Sequence, residues 1–159
     1  MGKLRELVDT AVRRHVNILC VQETKWKGQK AKEVDNTGFK LWYTGTTSNK
    51  NGGVLIYKSL KDSVVEVRRQ GDRIILVKLI ISDMVLNIIS AYAPQVGHDE
   101  SAKRLFWEDL DRLVRVVPSS EKLFIGGYLN GHVDTSSACF EAVHGGFGYG
   151  SRTRRERKS

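Results

Sequence analysis

The segment Ile74 to Ile81, IILVKLII, narrows the possible folds more than any other. Ile74, Leu76, Lys78 and Ile80 alternate with Ile75, Val77, Leu79 and Ile81, so both faces of the segment are apolar except at Lys78. Side chains on a strand alternate between faces, and a strand apolar on both must have cover on both sides. This one is therefore expected at the centre of a sheet, with packed layers above and below. The turn Ser82-Asp83 ends it, and the runs Val64 to Arg69 before it and Val85 to Tyr92 after it stand at short intervals, which predicts an antiparallel meander. Phe39 to Tyr43 and Val54 to Tyr57, separated by the turn-rich stretch Thr44 to Asn51, predict a further neighbouring pair.

Two helices are expected to supply cover. Leu4, Leu7, Val8, Ala11 and Val12 recur at helical spacing near the N-terminus. Phe106, Leu110, Leu113, Val114 and Val117 do so again between Asp99, a suitable N-cap, and Pro118, a stop signal. The acids of this second helix, Glu108, Asp109 and Asp111, fall away from the apolar stripe and are expected in solvent. No internal repeat is visible, and the reading is one mixed α/β domain over residues 1–150 with a basic tail over 151–159.

Charge bears on partners. The net charge is +8, but the tail RTRRERKS holds five basic residues and one acid, so +4 lies in the last eight residues and about +4 in the body. Such a body is compatible with nucleic-acid binding without demanding it. Two cysteines, Cys20 and Cys139, make neither a disulfide framework nor a zinc cluster and are expected as reduced thiols. The N-terminus lacks the apolar core of a signal peptide and no run reaches the length of a membrane span. The expectation is an intracellular protein with no membrane partner, nucleus and cytoplasm not being distinguished. Nothing fixes an oligomeric state.

Three apolar runs end in polar sets: VNILCVQET at Glu23, VLNIISAYAP at Tyr92, and KLFIGGYLNGH at Tyr128, Asn130 and His132. Pro94 must end its strand because it lacks an amide donor, and Gly126 and Gly127 let the third run turn closely. If the three ends lie on one side of the fold, Glu23, Tyr92, Asn130 and His132 share a cleft. Taken singly, each also reads as an ordinary strand-end residue.

The motifs VQETK, SAYAP and GGYLNGH, in this order and spacing, resemble the endonuclease/exonuclease/phosphatase superfamily of magnesium-dependent phosphodiesterases. In wording they are nearest to LINE-type (non-LTR) retrotransposon endonuclease domains and the craniofacial development protein 2-like group. The resemblance covers the chain to about Gly150. It implies a four-layer α/β sandwich with mainly antiparallel sheets flanked by helices. Of that sandwich this chain is expected to be a partial version supplying mainly one sheet, since it starts inside the first helix and stops before the later strands with their aspartates and terminal histidine.

By the same resemblance Glu23 is the metal ligand, with Mg²⁺ as cofactor held weakly or not at all. Tyr92 contacts the scissile phosphate, and Asn130 orients water and phosphate. His132 is given no catalytic role. Tyr128 stands where the family has the aspartate that positions or deprotonates water, and a phenol with a pKa near ~10 is no ready base at neutral pH. The reading that results is a fragment of a DNA endonuclease-like domain, inactive through truncation and Tyr128. The alternative is a non-catalytic nucleic-acid-binding module using Lys25, Lys27, Arg68, Arg69 and the tail, with DNA as partner.

Overall fold

The computed structural model describes residues 2–24, 26–28, 30–45, 52–95 and 100–129. Helix α1 (Gly2–Arg13) leads into strand β1 (Ile18–Gln22), followed by β2 (Ala31–Glu33), β3 (Phe39–Thr44), β4 (Gly52–Tyr57), the short helix α2 (Lys58–Lys61), β5 (Val64–Gln70), β6 (Ile74–Ile81), β7 (Met84–Tyr92), helix α3 (Glu100–Val116) and β8 (Lys122–Tyr128). The strands form two four-stranded sheets, β1-β4-β3-β2 and β5-β6-β7-β8. Every pairing is antiparallel except β7 with β8. That parallel pair needs a crossover, and α3 supplies it.

The chain therefore builds two sheets, not mainly one. The two pack face to face through Trp42, Val54 and Ile56 of the first against Ile75, Val77, Leu79 and Ile88 of the second. Helix α1 closes the outer face of the first sheet, placing Val8 and Ala11 on Val21, Phe39, Leu41, Tyr43 and Leu55. Helix α3 closes the second with Phe106, Leu110 and Leu113 on Ile74, Leu76, Ile89 and Ala91. The result is four layers, helix, sheet, sheet, helix, as the sandwich expectation requires. Strand β6 lies inside its sheet with Ile74 to Val77 and Leu79 buried, which is the double cover its composition demands. Burying each such side chain contributes roughly 1.5 to 3 kcal/mol.

Other details differ from expectation. The α1 stripe is narrower than its periodicity suggests, because Leu7 and Val12 remain exposed. Of the α3 acids, Glu108 is exposed but Asp109 is not in open solvent: its Oδ1 accepts from Gln70 Nε2 at 3.3 Å and from Arg112 at 3.1 Å. Asp99 lies outside the described residues, as does everything beyond Leu129, the basic tail included. Among the described residues no helix is long and apolar enough to cross a membrane.

The mouth between the two sheets is tied by the β5–β6 hairpin. Arg69 Nε donates to the Tyr43 carbonyl at 3.0 Å and a second guanidinium nitrogen donates to the Lys30 carbonyl at 3.1 Å. Thr44 Oγ1 donates to the Gly71 carbonyl at 3.0 Å. These bonds join the end of β3 to the hairpin of the other sheet, beside the ends of β1, β7 and β8.

Candidate nucleic-acid site at the mouth of the sandwich

Alternation decides where β1 points its side chains. Leu19 and Val21 pack toward α1, and Ile18 and Cys20 pack toward the other sheet. Glu23, two residues after Val21, would continue toward α1 if the strand went on. Its backbone instead adopts φ +53°, a left-handed conformation that costs a non-glycine residue about 1 to 2 kcal/mol. The carboxylate swings away and accepts a hydrogen bond from Tyr92 Oη at 2.9 Å. Strand-end acid and strand-end phenol, read from separate motifs, thus meet.

Tyr92 is held from several sides. Its amide donates to the Arg73 carbonyl at 2.9 Å, Arg73 donates back to the Tyr92 carbonyl at 3.2 Å, and the Arg73 guanidinium stands 5.4 Å from the ring centre. Gln95 Nε2 donates to the phenol oxygen at 3.4 Å. Burial pushes the Tyr92 pKa above its ordinary value, and donation to the Glu23 carboxylate pushes it further the same way. The phenol is therefore a neutral donor at physiological pH. Beneath it, Gln22 Nε2 donates to the buried Ser90 Oγ at 3.2 Å, a pair bridging the two sheets. Cys20, a free thiol, donates to the Ile89 carbonyl at 3.8 Å, and burial raises its pKa.

Tyr128 is the register partner of Tyr92 across the parallel pair. The ring centres are 6.1 Å apart with the planes tilted by 44°, and Tyr128 is 52% exposed. Its position is set by backbone. Gly126 leaves room for Cys20, whose Sγ would lie 2.9 Å from an added Cβ. Gly127 has φ +131°, and a Cβ there would collide with the Ala91 carbonyl oxygen. The Tyr128 carbonyl accepts from the Ala93 amide at 2.8 Å, fixing the strand end beyond the last register pair.

The remaining sequence candidates are distributed unevenly. Lys27 is exposed near the mouth. Arg68 is paired to Glu66 at 2.9 Å, and Arg69 is committed to the two carbonyls that tie the sheets. Lys25, Asn130, His132 and Cys139 lie outside the described residues. Sequence reasoning missed Arg73, Gln22, Ser90 and Gln95. Gln22 and Ser90 carried a signal, standing in the motifs VQETK and SAYAP.

Magnesium prefers near-octahedral oxygen coordination, met by carboxylates, water and substrate phosphate. The described mouth offers one carboxylate, Glu23, already bonded to Tyr92, and the buried Thr24 hydroxyl, which has no hydrogen-bond partner. Among the described residues no three His, Cys, Asp or Glu side chains group as metal ligands. This set by itself does not fit the ion.

No family model matches the chain. It is 28% identical over 159 residues to craniofacial development protein 2 of Bos taurus, covering 99% of this chain and 26% of that protein. It is 26% identical to the protein of the same name from Tragulus javanicus, covering 99% and 27%. The chain thus spans about a quarter of the length of these curated relatives. Among solved structures, D. rerio TDP2 complexed with a single-strand DNA product superposes with a TM-score of 0.60 at 11% identity, over 88% of this chain and 56% of that one. An endonuclease/exonuclease/phosphatase family protein from Leptotrichia buccalis gives 0.53 at 12% identity, over 87% and 64%.

Proposed function

Because this chain carries the fold of the endonuclease/exonuclease/phosphatase superfamily, we propose that it is a nuclease-like domain that binds nucleic acid at the mouth of its sandwich without hydrolysing it. One observation carries the reading. The mouth keeps the acid and phenol of the resemblance in contact, Glu23 with Tyr92, while a second phenol, Tyr128, stands beside them where the resemblance calls for an aspartate.

Tyr92 does not serve as a base near neutral pH, since burial and donation to Glu23 raise its pKa above the ordinary tyrosine value, and at position 128 the carboxylate of the resemblance is replaced by a phenol. Loss of a positioned general base costs roughly a hundredfold to ten-thousandfold in rate. Net charge +8 and the single-strand DNA held by a protein of like fold support nucleic acid as the partner class. Lys27, exposed near the mouth, is the described cation suited to the backbone, with Lys25 a further candidate from its place in VQETK, Arg68 and Arg69 being engaged within the fold. The wording of the motifs supports descent from a retroelement endonuclease.

Two assays on the purified chain test the reading. In magnesium, supercoiled plasmid should stay intact at the level of the Glu23→Gln variant, and nicking that this substitution abolishes would overturn the loss of activity. Labelled single-stranded DNA should bind with an affinity that falls steeply as salt rises. Absence of binding at low salt would overturn the nucleic-acid assignment.

A further inference from the structure

We propose that the mouth receives one unpaired nucleobase, guanine in preference to the others, stacked on Tyr128 and hydrogen-bonded through its Watson–Crick edge to Glu23. The inference rests on the nucleic-acid reading above and names what that site recognises. Among the described residues no cation pairs with the Glu23 carboxylate, which disfavours a phosphate at that one spot while leaving the backbone to cations further along the mouth. Arg73, beside Tyr92, already donates to the Tyr92 carbonyl and stands against its ring.

A base suits the same surroundings. Tyr128 presents a half-exposed ring whose backbone is fixed by Gly127, by the register pair with Tyr92 and by the bond to Ala93, so little freedom is lost when something stacks on it. Base stacking on an aromatic side chain is a general source of single-strand affinity. Tyr92 is the shared neighbour of ring and carboxylate, its ring tilted against that of Tyr128 and its hydroxyl donating to Glu23.

Chemistry selects the base. A carboxylate accepts only, with two oxygens side by side. Guanine carries two adjacent N–H donors, N1–H and the N2 amine, and matches both oxygens with charge-assisted bonds. Adenine and cytosine set a ring-nitrogen acceptor beside their amine, and thymine flanks its single N–H with carbonyls, so each turns a lone pair toward Glu23. Tyrosine in place of an aspartate thus converts a phosphate-directed mouth into one that reads a base edge.

The test is fluorescence anisotropy with thymidine oligonucleotides of about ten residues, near the span of one single-strand site, bearing one central guanine, hypoxanthine, adenine or thymine. Guanine should bind about tenfold tighter than thymine, with hypoxanthine, which lacks the N2 amine, between them. Glu23→Gln should erase the difference. Tyr128→Ala should weaken the guanine oligonucleotide roughly tenfold, while Tyr128→Phe restores it. Tyr128 is half exposed, so both variants should fold, and circular dichroism checks this. Equal binding of all four oligonucleotides, or a Tyr128→Ala variant as tight as wild type, overturns this inference and leaves the broader reading standing. No binding to any oligonucleotide at low salt overturns both.

Discussion

Replacing Gly127 by alanine tests whether the seat of Tyr128 is fixed by backbone. Two costs arise. An L residue at φ +131° is strained, worth about 1 to 3 kcal/mol. The added Cβ also runs into the carbonyl of Ala91. Ala91 is 1% exposed and its strand is paired on both sides, with Ile74 across from it in β6, so it cannot retreat. The end of β8 must peel away instead. That loosens the pairs of Gly126, Gly127 and Tyr128 and the Ala93 bond, at about 0.5 to 1.5 kcal/mol per hydrogen bond, or roughly 2 to 6 kcal/mol together.

Gly71→Ala is the control. Gly71 also has positive φ, +63°, but an added Cβ meets nothing within 4 Å, so only the conformational cost of about 1 to 2 kcal/mol applies. Urea unfolding followed by tryptophan fluorescence should put the Gly127→Ala midpoint roughly 1 to 2 M below that of Gly71→Ala, with a slope of about 1 to 3 kcal/mol per molar. Equal midpoints for the two variants would refute the idea that β7 pins the end of β8.

Arg69→Ala should lower unfolding stability by about 1 to 2 kcal/mol, since two charge-assisted bonds on a partly exposed side chain are lost, and should change single-strand DNA affinity less than about twofold. Collapse of binding with stability unmoved would instead make it a DNA contact. The Tyr92 pKa is raised in the folded chain, first by burial and then by the bond to Glu23, so its contribution to stability is complete below the ordinary tyrosine value of ~10 and is lost as pH rises through the higher folded value. The stability difference between wild type and Tyr92→Phe should accordingly stay level from neutral pH to about 9 and shrink above about 10; a difference unchanged through that range would contradict the assignment. Titration calorimetry should show only weak magnesium binding to the free chain, with Glu23→Gln as the control, since one carboxylate is a poor hold for this ion. Tight stoichiometric binding would mean a further ligand joins Glu23.

Strands and helices were legible in this sequence wherever apolar spacing carried information. Residues 39–43, 54–57, 64–69, 74–81 and 85–92 all appear as strands within a residue or two, and both amphipathic helices are present. Their partition was not legible. The division into two sheets falls at α2, a four-residue helix with no buried residue and so no apolar signature. Strand β2 is exposed along its length and offered no pattern. At the site, the meeting of Glu23 and Tyr92 followed from motifs standing at strand ends. The left-handed turn that brings it about did not, because glutamate gives no hint of positive φ. Arg69 shows the same limit in reverse: a basic residue on a strand looks like a phosphate contact, and only the fold reveals the carbonyls that bind it.

Each sheet is contiguous in the chain, β1 to β4 within residues 18–57 and β5 to β8 within 64–128. On a ribosome the first sheet is therefore complete while its partner is still unmade. Helix α1 can cover one of its faces at once, but Trp42, Val54 and Ile56 on the other wait for β6 and β7. Synthesis from Tyr57 to Tyr92 takes roughly 2 to 7 s at 5–20 residues per second. Through that interval the nascent chain carries an apolar sheet face with no internal cover, which leaves it sticky and sensitive to pausing in the β5–β6 coding region. A cut at α2 would leave neither half able to fold alone, although each contains a whole sheet and its helix.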